Sequence, residues 1–356
     1  MGPTRTMKEN LVLGIFSAIP LVLLFVVRQF LRRNRRKPGT RRMIRLIVGN
    51  TLIGLFMLSV TVLGGELYYR FFYDETDSFG LTKVTTRWFD RHFQFNTSRF
   101  RDNIQYHATR LKDRRQVTFV GDSFTAGHGV KNVDDRFANR IRTSRPELNI
   151  HVAARCGWDT GAQLDFLHRA AESGYEVDAV VLVYCLNDVA DIIPEWQAVA
   201  NRIYAAPKPG FFVQHSFLLN TLYYRLRSLR EPDIGNYYSF VRQGYTGTLW
   251  QYHSERMLAM RDIVESMGGK FLVVTFPFLH ALNEDYAYQN HHDQIDLLWK
   301  ELNVPHLDLL PVFEPYSPDT VVVSPYDAHP NEFAHELAEA AILKFLDTQL
   351  LLDDGE

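Results

Sequence analysis

A serine that is to act as a nucleophile needs a base to take its proton and donors to hold the charge that develops on the attacked carbonyl. Such groups lie at four places in this sequence. Gly121-Asp122-Ser123 follows the apolar run Val117–Val120, which puts the Ser123 hydroxyl at the carboxyl edge of a buried strand, where open α/β sheets bind their ligands. Gly157 offers a backbone N–H with no side chain in the way, and Asn187 offers an amide. With the N–H of Ser123, these donors would make an oxyanion hole if they converge. Near the end of the chain, Tyr326-Asp327-Ala328-His329-Pro330-Asn331 holds an acid and a histidine close together. The histidine can take the serine proton, and the acid can orient its ring. Alone, Gly-Asp-Ser is also an ordinary turn. What separates the two readings is whether the fold brings the partners together.

The elements that must do so alternate. Strands are expected at Val117–Val120, Ile150–Ala154, Ala179–Tyr184, Phe271–Phe276 and His306–Leu310. Between them, helices are expected over Asp134–Thr143, Gly161–Ser173, Trp250–Met267 and Asp293–Leu302, and a last one from near Pro330 to about Leu350. This alternation predicts a three-layer α/β/α, flavodoxin-like arrangement around a parallel sheet. In that order the first strand lies between the second and third. Cys156 and Cys185 then sit two strand spacings apart, about 9.5 Å, beyond the roughly 7 Å a disulfide can span, so two free thiols are expected. Residues 190–248 break the rhythm with Pro194, Pro207, Pro209 and Gly210, and Ser216–Leu229 reads as an amphipathic helix. Following directly on Asn187, this insertion is a lid or wall for the site, or else a packing embellishment.

Several other residues have ordinary readings. His128, in Gly127-His128-Gly129, reads as part of a solvent-facing turn, not as the base. His335 reads as structural, and the pair His291-His292 beside Asp293 lacks the further ligands of a metal site. Asp122 reads as a turn and hydrogen-bonding residue. Trp158 and Asp159 either line the pocket or pack its loop.

The beginning of the chain has a different character. Leu11–Val27 is an uncharged run of 17 residues containing Pro20, and Leu46–Gly65 is one of 20. Each is close to what is needed to cross a bilayer core of about 30 Å. The first run lacks a preceding basic cluster and a small-residue cleavage site, which favours two spanning helices over a cleaved signal. Between the runs, Arg28, Arg32, Arg33, Arg35, Arg36, Lys37, Arg41, Arg42 and Arg45 come with no acid, so this loop is expected in the cytoplasm and both chain ends across the membrane. Tyr68, Tyr69, Phe71, Phe72 and Tyr73 read as an interfacial aromatic belt. The first 45 residues hold 11 of the 39 Lys and Arg and one of the 41 acids, leaving 28 bases against 40 acids and a net charge of −12 on the remainder. An acidic body argues against a nucleic-acid partner. The expected organisation is an anchor over residues 1–73, an aromatic-rich lead-in over 74–114, and a catalytic domain over 115–350 that carries the insertion.

The four motifs together resemble those of the SGNH family, the GDSL-type esterases and acyl hydrolases. The match runs through Gly121-Asp122-Ser123, Gly157, Asn187-Asp188 and Asp327-Ala328-His329-Pro330-Asn331, in the family's order, over about residues 115–348. Asn96, Phe100, Arg101 and Asp102 also resemble the lead-in of membrane-linked bacterial members. The resemblance implies an acyl-serine intermediate on Ser123, with His329 and Asp327 completing the triad and Ser123, Gly157 and Asn187 forming the oxyanion hole. It implies no cofactor and no metal. Two positions depart from the family pattern: Cys185 stands where Gly-x-Asn-Asp has its glycine, and Asp327-x-His329 replaces Asp-x-x-His. The expected function is a membrane-anchored serine esterase of the bacterial inner membrane. It would act outside the cytoplasm on O-acyl esters, acetyl or other short chains, of a cell-envelope glycan or lipid. An O-acyltransferase of the same fold and a non-catalytic glycan-binding protein are the alternatives.

Overall fold

The computed structural model describes residues 3–35, 42–231, 237–283 and 285–350. Part of the basic stretch, Arg36, Lys37 and Arg41, lies outside the described residues. In chain order the elements are helices α1 (Pro3–Asn34), α2 (Arg42–Leu67) and α3 (Lys83–His92), strand β1 (Arg115–Gly121), α4 (Ser123–Ala126), α5 (Phe137–Ser144), β2 (Leu148–Ala154), α6 (Thr160–Glu172) and β3 (Ala179–Cys185). There follow α7 (Pro194–Tyr204), α8 (Phe211–His215), α9 (Phe217–Arg230), α10 (Tyr237–Gly244), α11 (Gly247–Ser266), β4 (Lys270–Phe276), α12 (Gln289–Glu301), β5 (His306–Asp308), β6 (Val322–Ser324), β7 (Asp327–Pro330) and α13 (Glu332–Leu350).

These elements form two compact units. The larger comprises Glu75–Gly80, Trp88–Ala206 and Glu231–Glu356. Its core is a five-stranded parallel sheet in the order β2-β1-β3-β4-β5, the flavodoxin-like order expected from the sequence. β2 and β3 are buried along their whole length: β3 is a near-continuous apolar run, as strands covered on both faces tend to be, while β2 also buries Asn149 and His151. α5 packs with α13, and α6 with α11, giving a helical layer on either side of the sheet. Phe137 of α5 meets Phe119 of β1 edge-on, with ring centres 5.4 Å apart. Because β1 lies between β2 and β3, Cys156 and Cys185 stand apart, and both are free thiols.

The sequence reading misses one element that matters to the site. β6 and β7 form a separate antiparallel pair just before α13. The last helix begins at Glu332, close to the expected start near Pro330, once β7 has ended at Pro330.

The smaller unit comprises Met1–Asp74, Leu81–Arg87 and Pro207–Arg230. Thr6–Asn34 and Arg42–Phe72 are 29 and 31 residues long and contain 18-residue stretches with mean hydropathies of 2.5 and 2.2, long and apolar enough to cross a membrane. The segment 190–248 is thus divided: α7 belongs to the larger unit, and α8 and α9 belong with the two apolar helices.

Candidate active site

β1 ends at Gly121, and the chain turns at once into the short helix α4. Asp122 caps that helix: its carboxylate accepts the N–H of Phe124 at 2.8 Å. The turn is tight. A Cβ on Gly121 would stand 2.3 Å from Thr125 Oγ1 and 2.8 Å from the Val183 carbonyl, so only glycine fits there. Ser123 is left as the first helical residue, with its hydroxyl at the carboxyl edge of the sheet.

His329 reaches that hydroxyl from β7, its Nε2 lying 2.8 Å from Ser123 Oγ. On the other side of the ring, Nδ1 is 2.5 Å from Asp327 Oδ1, and Asp327 Oδ1 also accepts the backbone N–H of His329 at 3.1 Å. Serine, imidazole and carboxylate are therefore in line. Gly157 and Asn187, from the ends of β2 and β3, line the same cavity of about 300 Å³ as Ser123 and His329. Gly157 has φ +79°, a left-handed conformation that favours glycine, and nothing lies within 4 Å of where a Cβ would be. Trp158, Asp159, Trp196, Tyr204 and Phe278 line the cavity too. Trp158 and Asp159 thus face the pocket, and α7 is one of its walls.

The surroundings of Asp327 contain what the sequence reading missed. His128 is buried, not solvent-facing. Its ring stacks on that of His329 with centres 4.0 Å apart and planes 6° from parallel, and its Nε2 lies 3.3 Å from Asp327 Oδ2. Thr76 hydrogen-bonds the same Oδ2. Gly127 and Gly129, at φ +75° and +88°, turn the chain sharply on either side of His128. A Cβ on Gly129 would sit 2.3 Å from Val323 Cγ2. The loop is held by the buried Arg101 guanidinium, which donates to the carbonyls of Gly127 and Val130, both at 2.5 Å. A histidine between two glycines five residues after the serine was the available signal, because a free turn does not need glycine on both sides.

The charges follow from this packing. Burial alone would push the Asp327 carboxyl up, but the facing His329 and His128 rings hold it well below the usual carboxylate range. Burial would lower His128, yet the Asp327 carboxylate raises it to about 10. Burial and the neighbouring His128 lower His329 from the ordinary histidine value, against the pull of Asp327. Burial raises Asp122 and, with the charge of Asp122, raises Asp188 well above the carboxylate range. Asp188 is bonded to Gln163 Nε2 at 3.0 Å and to the Cys185 N–H at 3.2 Å, a structural role. His128, Asp327 and His329 place possible ligand atoms within 4.8 Å of one another. In this structure His329 is hydrogen-bonded to Ser123 and Asp327, and His128 Nε2 faces Asp327 Oδ2 at 3.3 Å. His292 is bonded to Asp308 at 2.9 Å, and His335 is fully buried under α5.

Residues 119–337 match the GDSL-like Lipase/Acylhydrolase family. The chain belongs to this family. It is a hydrolase of ester bonds. A comparison with curated proteins finds none that matches. Among solved structures, a lipolytic G-D-S-L family member from Veillonella parvula is 11% identical, covering 65% of this chain and 97% of its own, with a TM-score of 0.40. A psychrotrophic esterase from Pseudoalteromonas is 11% identical, covering 66% of this chain and 98% of its own, with a TM-score of 0.41. A two-domain esterase active on acetylated mannans is 16% identical, covering 66% of this chain and 49% of its own, with a TM-score of 0.36.

Both departures from the GDSL pattern have a local physical explanation. Cys185 has φ −110°, ordinary extended backbone, so glycine is not required there. Asp327 and His329 lie in β7, where side chains alternate between faces, so residues two apart share one. The shortened Asp-x-His spacing of this GDSL chain thus delivers the carboxylate to the ring through a strand.

Proposed function

We propose that the chain is a membrane-anchored serine esterase that removes short O-acyl groups, such as acetyl, from an extracytoplasmic glycan or lipid. The observation that carries this reading is the line from Ser123 Oγ to His329 to Asp327, opening on a cavity that Gly157 and Asn187 also line. Ser123 Oγ attacks the ester carbonyl while its proton passes to His329 Nε2, and the N–H groups of Ser123 and Gly157 and the amide of Asn187 hold the oxyanion. The proton on His329 then goes to the departing alcohol. Water, deprotonated by the same histidine, attacks the acyl-serine and returns free acid and Ser123. Asp327 fixes the ring and steadies the imidazolium, and His128 and Thr76 hold Asp327 from its other oxygen. A cavity of about 300 Å³ walled by Trp158, Trp196 and Tyr204 has room for a short acyl group and part of its alcohol.

The test is turnover of p-nitrophenyl esters of increasing chain length by the full-length protein in detergent, with and without sugar acceptors. Release of free acetate supports the esterase. Transfer of acetyl to the sugar would make the protein an acyltransferase, and no turnover of any ester would sink the reading.

The stacked His128 gives this site a characteristic pH profile. His329 must be neutral to accept the serine proton, and its affinity for that proton is lowered by burial and by His128. The acidic limb of kcat/KM is therefore expected below the ordinary histidine value of 6.5. In His128→Gln that cation is gone while Asp327 remains, so His329 holds its proton more tightly and the limb moves to higher pH. The plateau is expected to stay within about tenfold, because the His329–Ser123 transfer is intact. A limb that does not move would show that His128 carries no charge in the working enzyme.

Topology follows from the basic stretch between the two apolar helices. Residues 28–45 are placed in the cytoplasm and the catalytic unit outside it. A C-terminal phosphatase fusion is expected to be active, because that reporter folds only outside the cytoplasm. A C-terminal reporter that works only in the cytoplasm would reverse the assignment.

A further inference from the structure

The smaller unit has an apolar face that no esterase chemistry explains. α9 leaves the end of α2 under firm constraint. The Glu66 carboxylate, fully buried, accepts the N–H groups of Phe217 and Leu218 at 3.2 and 3.0 Å and the Ser216 hydroxyl at 2.6 Å. An acid from one helix thereby caps the N-terminus of another. Arg70 closes the arrangement, its Nε and Nη2 donating to the same carboxylate at 3.0 and 2.8 Å. Farther along α9, the Arg225 guanidinium donates to the hydroxyls of Tyr69 and Tyr73 at 3.1 and 2.5 Å. One side of α9 is thus fastened to the last turns of the second apolar helix.

The other side is apolar and bare. Leu222, Leu226 and Leu229, spaced four and three apart, share one face of α9, and they are 42%, 50% and 80% exposed. Phe211 and Phe212 of α8 are also exposed, as are Phe71 and Phe72 on the turn that ends α2. α9 carries Arg225, Arg227 and Arg230 and no acid. A basic helix with a bare leucine stripe, fixed to the end of a helix of spanning length, matches what lies in a membrane interface.

We infer that α8 and α9 form an elbow lying in the headgroup–acyl boundary of the bilayer, with Phe211, Phe212, Leu222, Leu226 and Leu229 turned to lipid. The inference rests on the proposal that α1 and α2 span the membrane. The occupant is lipid because the bare face continues the apolar surface of Phe71 and Phe72 at the end of a spanning-length helix, and because the helix bearing it is basic.

The test uses the full chain with Cys156→Ser, which leaves only the buried Cys185 thiol. A single cysteine carrying an environment-sensitive nitrobenzoxadiazole dye is placed at Leu226, at Leu58 in α2 as the bilayer reference, or at Leu297 in α12 as the water reference. The protein is reconstituted in phosphatidylethanolamine–phosphatidylglycerol vesicles and quenched with nitroxide-bearing lipid or with iodide. The expected result is that Leu58 and Leu226 lose most of their emission to the nitroxide lipid and little to iodide, and that Leu297 does the reverse. If Leu58 is quenched by lipid and Leu226 by iodide, the elbow is wrong and the span stands. If Leu226 is shielded from both quenchers until the protein is diluted in lipid, a second copy covers the face and the lipid assignment falls. If Leu58 itself is open to iodide, the spanning proposal fails and the elbow with it.

Discussion

Replacing Asp327 by alanine is expected to lower kcat on the order of 10⁴-fold, the cost of removing the acid from a working serine triad. The expectation is large because both carboxylate oxygens are committed. Oδ1 fixes the Nδ1 side of His329, so that Nε2 faces Ser123 as the acceptor, and Oδ2 is held by Thr76 and faced by His128. Without the carboxylate, the buried His329 has nothing to fix its tautomer or to offset the positive charge it acquires as it takes the proton. Ser123→Ala and His329→Ala should abolish acyl-enzyme turnover. The measurement is single-turnover and steady-state hydrolysis of p-nitrophenyl acetate by each purified variant, with folding checked by circular dichroism. A loss of less than about tenfold in Asp327→Ala would leave a serine–histidine dyad with the ring held by other groups.

Asn187→Ala is expected to lower kcat by about 10²- to 10³-fold with little change in KM, the signature of a donor that matters only once charge forms on the substrate oxygen. In the resting site the Asn187 amide makes only a long contact, 3.4 Å to Asp122 Oδ2, so its removal disturbs little of the ground state. The split between kcat and KM is what tests the role. A rise in KM with kcat unchanged would make Asn187 a binding residue and leave the oxyanion to the backbone N–H groups of Ser123 and Gly157.

β1, β3 and β4 were legible because their middles are short apolar runs, as burial on both faces requires, whereas β5, His-Leu-Asp and only half-buried, was read from its place after a helix. The first three motifs were legible for the same reason, since Ser123, Gly157 and Asn187 each follow the end of a sheet strand. β7 was not, because Asp-Ala-His-Pro has neither apolar alternation nor β-branched residues, and its extended shape comes from pairing with β6. That pairing explains how an acid and a histidine two residues apart can meet. Thr76 as a partner of Asp327 was out of reach because the two are 251 residues apart. His128 was misread because Gly-His-Gly is locally a turn. What buries it is the stacking of His329 and the hold of Arg101 on the loop, both set by tertiary packing. The split of the insertion between two units was hidden as well, since the acid that caps α9 lies about 150 positions earlier in the chain.

That cap also governs how the chain can be divided. The smaller unit is discontinuous, built from Met1–Asp74, Leu81–Arg87 and Pro207–Arg230. A protein shortened at its N-terminus to begin at Asp74 would keep α9 but lose Glu66. The first N–H groups of α9 and the Ser216 hydroxyl would then have no acceptor, at a cost of about 0.5–2 kcal/mol for the cap alone. The side of α9 that carries Phe217 and Thr221, buried in the intact chain, would lose the cover of α2 beside the leucine stripe and keep that of Lys83 and Arg87 over the Phe217 ring, leaving a larger exposed apolar patch. Secretion signals can be cut away at one bond. The smaller unit would have to be removed at its start and in the middle of the chain together.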